Sequence, residues 1–389
     1  MTTEFTLSQQ QKSYLDLSGT HRARTLPETL EIAQGIAKKI GITRIANITG
    51  LDSIGIPVVV AIRPNAKLLS VSQGKGMTLE HAKVSAIMES IESWYAENML
   101  MPELKGSYQE LSTSYSMIDP CHIAHSIFDA DSLRNMRLHW CSGINLIDNQ
   151  INYIPYEAIS LDSTKLSEAN LLFGASSNGL ASGNTPEEAA CHALCELIER
   201  DADFKFNYLS DQKQQERLVN LHSINSELIE ILLKKIQKAS IDVQIWDMTS
   251  EIHLPVFCCT LFDHEIGRKT QIFSGQGCHF DKEVALCRAI TEAVQVRLTF
   301  IAGSRDDVFA SYYEKEIMTT QSMIHEGTRL YDEIVQPDYS HDFKKNIKMM
   351  VHQLQLLGFN KIILFNHTDP ADLIAVVNMI IPGLYGKEG

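Results

Sequence analysis

Three segments of this 389-residue chain repeat one layout, and the repeat constrains the fold more than any other feature. Each segment carries a glycine-bearing run, then a residue suited to cap a helix, and then a glutamate eleven residues after the cap. The spacing predicts three helices, each presenting a carboxylate about three turns after its first residue. The caps are Thr78, Thr185 and Asp281, the glutamates are Glu89, Glu196 and Glu292, and the alanines seven residues before each glutamate are Ala82, Ala189 and Ala285.

The glutamates of the repeat have neighbours that also carry chemistry. The first two helices have a second carboxylate three residues on, Glu92 and Glu199, so each pair shares one helix face. The third helix has Gln295 at this position, followed by Arg297. Glutamates at this spacing usually form a solvated face, but apolar side chains surround both pairs and leave no broad polar face. The pattern therefore favours a functional carboxylate cluster built from two copies and one variant.

Clustered carboxylates need counter-charges, because like charges within a few ångströms raise each other's pKa. Oxygen ligands select hard cations, and Mg²⁺ is usually held by a few carboxylates together with substrate phosphates. The cluster therefore predicts Mg²⁺ and a nucleotide. A di-iron carboxylate site is the alternative, but the Glu-x-x-His pairs of such sites are missing here. The run 72–76 contains Lys75 without the spacing of a P-loop, so we expect ATP to bind in another way.

The rest of the chain alternates strand and helix patterns, which predicts an α/β fold with long helices over a sheet. The glycine-bearing runs of the repeat, at 72–76, 177–183 and 275–279, are expected to be loops, and the stretch 101–133 is expected to be irregular. Predicted helices cover 27–40, 78–98, 185–204, 226–239, a stretch from 281, and one more in the tail. Predicted strands cover 42–49, 56–62, 68–71, 243–246, 255–262, 271–274, 361–365 and 373–381, with a hairpin at 144–147 and 151–154.

Composition and charge exclude some partners. A net charge of -14 disfavours nucleic acid or an anionic membrane as a partner held by a bulk positive field, so a phosphate site must be local. The N-terminal 18 residues lack a signal-peptide layout and no apolar run is long enough to span a membrane, which predicts a cytoplasmic protein. Cys191, His192 and Cys195 offer a zinc alternative. Their apolar helix and the lack of a second ligand pair favour core packing instead.

At the repeat segments the sequence resembles the YcaO family, and the resemblance extends over most of the chain. It rests on the run 72–76, on Ser85 with Glu89 and Glu92, on 177–185 continuing to 196–201, and on 277–279 leading to 291–297. It implies a YcaO-type fold in which pseudo-repeated loop–helix units pack on β-sheets around a nucleotide site. It also implies one domain over 1–389, with a core at about 65–305, an N-terminal arm at 1–20 and a C-terminal helix–strand extension at about 306–389.

The resemblance further implies roles for individual residues. It makes ATP and Mg²⁺ the cofactors, with Mg²⁺ ligands at Glu89, Glu92, Glu196 and Glu199, joined by Asn184 and Glu188. Ser85, Lys75 and Arg200 would lie near the nucleotide, and Arg200, Gln295 and Arg297 would act on the transferring phosphoryl group. Some alternatives stay open: Glu188 also fits a capping box with Thr185, Asn184 fits a turn, and Gln295 and Arg297 fit structural roles. An early basic contact is either Arg22 or Arg24.

The activity implied is ATP-dependent activation of a peptide backbone amide. An external sulfide would give a thioamide, whereas a substrate Cys, Ser or Thr side chain would give an azoline. The segment 42–57 and the tail 381–384 are similar to the TfuA-associated, thioamide-forming subgroup, which implies a sulfide donor and a TfuA-like partner. A homodimer is also implied. The alternatives are an azoline-forming cyclodehydratase, an accessory factor in ribosomal-protein modification and a non-catalytic peptide-binding protein.

Overall fold

The structure is a computed structural model of the chain, and it describes residues 13–124, 128–165, 172–263, 271–309, 313 and 325–384. These residues form a mixed α/β fold, as predicted, with four antiparallel sheets. The helices are α1 (Leu26–Lys39), α2 (Leu79–Glu97), α3 (Tyr108–Leu111), α4 (Ala130–Asn135), α5 (Pro186–Asn207), α6 (Asp211–Gln215), α7 (Glu227–Lys238), α8 (Lys282–Ala302) and α9 (Phe343–Leu356). The strands are β1 (Leu15–Asp16), β2 (His21–Arg22), β3 (Arg44–Asn47), β4 (Val58–Ile62), β5 (Val71–Lys75), β6 (Leu104–Ser107), β7 (Arg137–Asn145), β8 (Ile151–Pro155), β9 (Leu180–Gly183), β10 (Asp242–Asp247), β11 (Val256–Asp263), β12 (Gln271–Cys278), β13 (Ile363–Asn366) and β14 (Ala375–Ile380).

The repeat corresponds to three units, each a sheet followed by a long helix. Unit one is the sheet β3-β4-β5 with α2, and unit three is the sheet β10-β11-β12 with α8. Unit two is the six-stranded sheet β6-β7-β13-β14-β9, with β8 paired to β7, and its helix is α5. The predicted caps are confirmed, since each accepts a hydrogen bond from a backbone N–H in the first turn of its helix.

The glycines and alanines of the repeat explain how each strand meets its helix. In every unit a strand glycine lies against helix backbone at the repeated alanine, so a Cβ on that glycine would collide with it. The separations from such a Cβ are 2.2 Å from Gly74 to the Ala82 oxygen, 2.5 Å from Gly183 to the Ala189 nitrogen and 2.1 Å from Gly277 to the Ala285 oxygen. The repeated Gly and Ala therefore set the distance between strand and helix.

The three units close into a ring. Helix α2 contacts β9 of unit two, α5 contacts β12 of unit three, and α8 contacts β5 of unit one. Strands β5, β9 and β12 are each the end strand of their sheet, so each has one edge without a neighbouring strand among the described residues. The helices and these three edges consequently surround a common centre.

Three predictions about local structure were wrong. The strand expected at 68–71 lies at 71–75 instead, since the N–H groups of Leu68 and Ser70 donate to the side chains of Glu97 and Asp306. The glycine-bearing runs are mostly strand: 71–75 forms β5, 180–183 forms β9 and 271–278 forms β12. Glycine occurs in them because a helix packs closely, and not because the chain turns there. The stretch 101–133 is also less irregular than expected, since it contains β6, α3 and part of α4, which pack around the buried Trp140 and Leu138.

The N-terminal segment joins the fold before α1. Tyr14 is buried, its ring stacks on His21 with centroids 4.3 Å apart, and its N–H donates to the carbonyl of His341 at 3.3 Å. Residues 1–12 of the predicted N-terminal arm lie outside the described residues. In the described part of the chain, no helix combines the length and apolar composition needed to cross a bilayer.

Candidate active site

A cavity of about 870 Å³ lies where the three units meet. Its walls come from the facing sides of α2, α5 and α8, from the edges of β5, β9 and β12, and from the N-terminal segment 17–22. Every predicted site residue except Arg297 lines it: Lys75, Ser85, Glu89, Glu92, Asn184, Glu188, Glu196, Glu199, Arg200 and Gln295. The ring therefore brings together side chains that lie more than 200 residues apart in the sequence.

The first glutamate pair binds the inner edges of two strands. Glu89 Oε2 accepts a hydrogen bond from the Gln73 N–H at 3.3 Å. Glu92 Oε1 accepts from the Ser182 N–H at 2.9 Å and from its hydroxyl at 2.6 Å. Burial, reinforced by repulsion from Glu92, raises the pKa of Glu89 to about 7, and burial raises the pKa of Glu92 to about 7. Without a cation, both carboxyls are thus partly protonated near neutral pH.

The second glutamate pair behaves in the same way. Burial raises the pKa of Glu196 to about 8. Attraction to Arg200 lowers this pKa, and the smaller repulsion from Glu199 raises it. Burial, followed by repulsion from Glu292, raises the pKa of Glu199 to about 7. Like-charged carboxyls in one cavity cannot all ionise without compensating positive charge. The site is therefore short of cations.

Glu292 of the third unit is paired with a cation from the first unit. Lys75 on β5 forms an ion pair with Glu292 on α8, and Glu292 Oε1 also accepts from the Gln276 N–H at 3.3 Å. Burial disfavours ionisation of Glu292, but the Lys75 ammonium outweighs it, so the pKa of Glu292 is below its usual value. Gln295 stands where the other helices carry a second glutamate. Lys75, predicted to lie near the nucleotide, is within the cavity but already has this carboxylate partner.

Glu188 and Asn184 form a small network at one side of the cavity. The Glu188 carboxylate accepts from the Ala23 N–H at 2.8 Å and from Asn184 Nδ2 at 3.2 Å, and it lies 3.6 Å from Arg22 Nε. Thr185 caps the Glu188 N–H at 3.1 Å, but the Glu188 carboxylate does not return that bond. Its side chain is directed to the cavity network instead of completing a capping box.

Two further arginines lie at the cavity: Arg22, one of the two candidates for the early basic contact, and Arg288, which no sequence pattern indicated. Arg22 Nη1 contacts His192 Nε2, and Arg288 Nη1 lies 3.3 Å from His192 Nδ1. Burial and these two guanidinium groups hold the pKa of His192 well below its usual value, so its ring is neutral. Arg24, the alternative early contact, donates to the Leu373 carbonyl at an exposed position, which leaves Arg22 as the residue that reaches the cavity.

The role predicted for Arg297 requires correction. Its guanidinium binds Asp52 at 3.2 Å and Asp263 at 2.6 Å, outside the main cavity. It lies five residues beyond Glu292, a rotation of about 140° around the helix, so it faces away from the glutamates. Arg297 stabilises the contact between α8 and these two aspartates. Arg305, which the sequence did not indicate, does line the main cavity.

The zinc alternative finds no support in the geometry. Cys191 and Cys195 are buried in the core of unit two, where Cys195 packs against Met350 at 3.9 Å. Within the residues that the structure describes, no group of three or more His, Cys, Asp or Glu side chains is positioned to hold a metal ion unaided.

The donor set fits Mg²⁺ held together with a nucleotide. Mg²⁺ is commonly bound by one or two carboxylates plus phosphate oxygens and water, which agrees with carboxylates that converge only loosely. Arg288 Nε is buried and lacks a hydrogen-bond partner among the described residues, as expected for a donor awaiting an anion. The fold and cavity thus define a class of protein: a ring of three sheet–helix units around a magnesium–nucleotide pocket.

Comparison with known proteins identifies the family. Residues 73–385 match the model of the YcaO family, described as YcaO cyclodehydratase, ATP- and Mg²⁺-binding. The chain belongs to the YcaO family, and ATP and Mg²⁺ are its cofactors. It is 33% identical over 376 residues to a protein of the tfuA 3′ region of Rhizobium leguminosarum bv. trifolii, covering 93% of this chain and 88% of that one. A protein of Methanothermobacter thermautotrophicus is 31% identical over 92% of this chain and 93% of its own length.

Solved structures share the fold. YcaO from Methanopyrus kandleri, bound with AMPPCP and Mg²⁺, superposes with a TM-score of 0.74 at 21% identity, over 96% of this chain and 94% of that one. A heterocyclase in complex with substrate and cofactor gives a TM-score of 0.76 at 19% identity over 97% of this chain. This chain spans 54% of the heterocyclase chain. The predicted YcaO resemblance and α/β fold class are confirmed.

Proposed function

We propose that this protein uses Mg²⁺ and ATP to phosphorylate the oxygen of a peptide backbone amide, with a sulfide source that turns the amide into a thioamide. The observation that carries the proposal is the set of four cavity glutamates whose pKa values are raised to about 7 or 8. Such a site needs added positive charge, and Mg²⁺ bound with nucleotide phosphates supplies it. The family assignment supports the same cofactors.

The residues of the cavity divide into two groups with different tasks. Glu89, Glu92, Glu196 and Glu199 would hold Mg²⁺, with Glu188 and Asn184 beside them. Arg200 and Arg288 would bind phosphate oxygens, because a planar guanidinium can donate two hydrogen bonds to an oxyanion. Bound Mg²⁺ would neutralise charge on the transferring phosphoryl group. Ser85 and Gln295 line the same cavity and would orient the nucleotide and the amide.

The reaction balances as follows. Hydrosulfide adds to the amide carbon and the carbonyl oxygen becomes an oxyanion. The γ-phosphoryl group of ATP passes to this oxygen and ADP departs. The carbon–oxygen bond then breaks, phosphate leaves, and the sulfur loses its proton to form the C=S bond. Positioning and electrostatic stabilisation are the contributions that a site of this composition makes to phosphoryl transfer.

Similarity to the protein of the tfuA 3′ region supports the thioamide branch. It extends over 93% of this chain, including the segment 42–57, which is similar to the thioamide-forming subgroup. A TfuA-like partner, a sulfide donor and a homodimer accompany this proposal. The division into a core, an N-terminal arm and a C-terminal extension within one domain is also retained as a proposal.

Azoline formation is the second candidate. It is favoured by the family description as a cyclodehydratase. In that reaction the nucleophile is a Cys, Ser or Thr side chain of the substrate, and the phosphorylated oxygen leaves in the same way. An accessory role in ribosomal-protein modification and a non-catalytic peptide-binding role are weaker, because neither accounts for four glutamates that need a cation.

Mass spectrometry of peptides incubated with the protein, ATP, Mg²⁺ and sulfide tests the proposal. Replacement of oxygen by sulfur adds about 16 Da, whereas azoline formation removes about 18 Da, because both reactions expel the phosphorylated oxygen. We expect the first change, its loss in Glu196→Gln, and its retention in Glu80→Gln, an exposed control on α2. A wild-type protein that hydrolyses no ATP and modifies no peptide would contradict the proposal.

A further inference from the structure

Strand β12 has one edge without a partner beside the main cavity. Its other edge pairs with β11 along the whole strand, with Ser274 opposite Thr260 and Ile272 opposite Phe262. Among the described residues no strand lies on the free side. Ser274 is exposed, so this part of the strand lies at the protein surface.

The direction of the backbone groups on this edge follows from one hydrogen bond. The N–H of Gln276 points away from β11, because it donates to Glu292 on α8. Backbone groups alternate between the two edges of an antiparallel strand, so the N–H and C=O groups of Ser274 and Ile272 face the same free side. No backbone hydrogen bond on that side involves either residue in the described part of the chain.

The end strand of each unit donates one backbone N–H to a glutamate of the cavity. The Gln73 N–H of β5 donates to Glu89, and the Ser182 N–H of β9 donates to Glu92. On β12 only Gln276, at the inner end, is capped in this manner. At the outer part of β12, the outward backbone groups of Ile272 and Ser274 have no such partner among the described residues, so another strand could pair there.

The open edge leads directly to the carboxylates. Gln271, Ile272 and Phe273 line the main cavity, and Gln271 and Phe273 also line a second cavity of about 400 Å³. From Ser274 to Gln276 a strand advances about 7 Å, since each residue contributes about 3.4 Å. A chain paired along 272–274 would thus end close to Glu292 and the cluster beyond it.

The second cavity suits a side chain of such a paired peptide. Its rim includes Leu51 and Ile301, which are 56% and 40% exposed although both are large and apolar. Its floor carries Arg297, whose charge is compensated by Asp52 and Asp263. An apolar side chain of the peptide, next to the reacting amide, would pack on Leu51 and Ile301. It would not contact an unpaired charge, because Arg297 is already paired with Asp52 and Asp263.

We propose that the peptide substrate binds as an added β-strand along the free edge of β12, at residues 271–274, and places an apolar side chain in the second cavity. This inference rests on the proposed function, because it assigns the binding mode of that substrate. Main-chain hydrogen bonds to the Ile272 and Ser274 groups supply affinity independent of sequence, and the second cavity supplies selectivity. The peptide must be extended over at least these residues.

The test uses a phage-displayed library of random ten-residue peptides, selected on the wild-type protein with Mg²⁺ and AMPPCP. Enriched peptides are then titrated against Ser274→Pro, which removes an outward N–H without disturbing the bonds to β11. Ser274→Ala controls for the lost hydroxyl bond to Thr260, and Val243→Pro controls for proline at the opposite edge of the same sheet. We expect at least about tenfold weaker binding for Ser274→Pro alone, as loss of one strand pairing implies.

Hydrogen exchange provides a measurement that needs no variant. On the wild-type protein, an enriched peptide should slow exchange at the Ile272 and Ser274 amides. Failure to enrich any peptide, binding to Ser274→Pro within twofold of wild type, or unchanged exchange at both amides would overturn the inference. A separate result would contradict the proposed function: peptides that bind at this edge but undergo neither thioamide nor azoline formation with ATP and sulfide.

Discussion

Helix α2 contains carboxylates of two kinds, and only one kind lines the cavity that we propose binds the cofactors. Glu97, at the end of the helix, is 2% exposed and forms two bonds to Arg63, at 2.6 and 2.8 Å. Glu89 and Glu92, on the same helix, have no salt bridge to any residue in the described ranges, and burial raises the pKa of both. The fold provides a cation for Glu97 and leaves the other two to a ligand.

The comparison also separates stability from function. Removal of the internal partner of a buried carboxylate destabilises the fold, since it leaves an isolated buried charge. A carboxylate without one opposes folding until a cation binds, because ligands that bind only the folded state stabilise it.

The largest effect is expected where the internal pair is broken. Arg63→Met should lower the free energy of unfolding by about 3–5 kcal/mol, because Glu97 would remain buried without its partner. Below the unfolding temperature its affinity for Mg²⁺ and AMPPCP should stay within twofold of wild type. Denaturant titration and calorimetry measure the two quantities, and Arg137→Met, at an exposed pair with Glu110, is the matched control. A strong loss of nucleotide affinity in Arg63→Met would show that the Arg63–Glu97 pair also serves the cofactor site, and would contradict its separation from the cavity glutamates.

Removal of a cavity carboxylate should weaken nucleotide binding and leave the stability of the ligand-free protein unchanged or higher. Glu92→Gln should weaken magnesium-dependent AMPPCP binding by at least about 100-fold, since even groups that only orient metal ligands matter 10- to 100-fold. Its unfolding temperature without ligand should not fall, because the substitution removes an uncompensated charge. Thermal unfolding with and without Mg²⁺ and AMPPCP shows both effects. A less stable variant with normal affinity would show that Glu92 is structural.

Stability without ligand should depend on pH in a direction set by the cavity. The folded protein holds protons on Glu89, Glu92, Glu196 and Glu199 up to about pH 7 or 8, whereas an unfolded glutamate loses its proton near its ordinary pKa. The unfolding temperature should consequently fall by a few degrees as pH rises from 5 to 8. Saturation with Mg²⁺ and AMPPCP should remove most of this slope. A ligand-free protein that becomes more stable over that range would contradict the assignment.

The smallest effect is expected at the ion pair that joins units one and three. Lys75→Gln should cost about 1 kcal/mol at pH 7, the scale of a partly exposed salt bridge, because Glu292 would lose its cation. Glu292 would then resemble Glu89, and the pH slope of the ligand-free protein should become steeper. Lys38→Gln, at an exposed position of α1, serves as the control. An unchanged slope would mean that Lys75 does not compensate Glu292.

The repeat was sufficient to predict helix starts and the shared location of the glutamates. Thr78, Thr185 and Asp281 could be recognised because capping is local, and the i, i+3 pairs could be recognised because helix geometry is regular. The glycine runs were assigned to loops for a physical reason: Gly74 and Gly277 allow close packing, which has the same sequence signature as a turn. Only the position of the helix in the folded protein distinguishes a closely packed strand from a turn.

Other site residues could not be predicted from local pattern. The contact of His192 with Arg22 and Arg288 forms where α5, α8 and the N-terminal segment meet. No spacing in the sequence predicts this contact. The Lys75–Glu292 ion pair likewise joins units one and three. The family resemblance placed Arg297 at the phosphates and left a structural role open, and the structure shows that it binds Asp52 and Asp263 instead.

Proton release during binding tests the central claim, that the cavity glutamates hold Mg²⁺ and nucleotide. Titration calorimetry of Mg²⁺ and AMPPCP at pH 6.5, in two buffers of different ionisation enthalpy, counts the protons released. Carboxyls with a raised pKa must deprotonate to bind a metal, so we expect at least about one proton released per nucleotide, and less in Glu196→Gln. Magnesium-independent binding, or binding without proton release, would contradict the account.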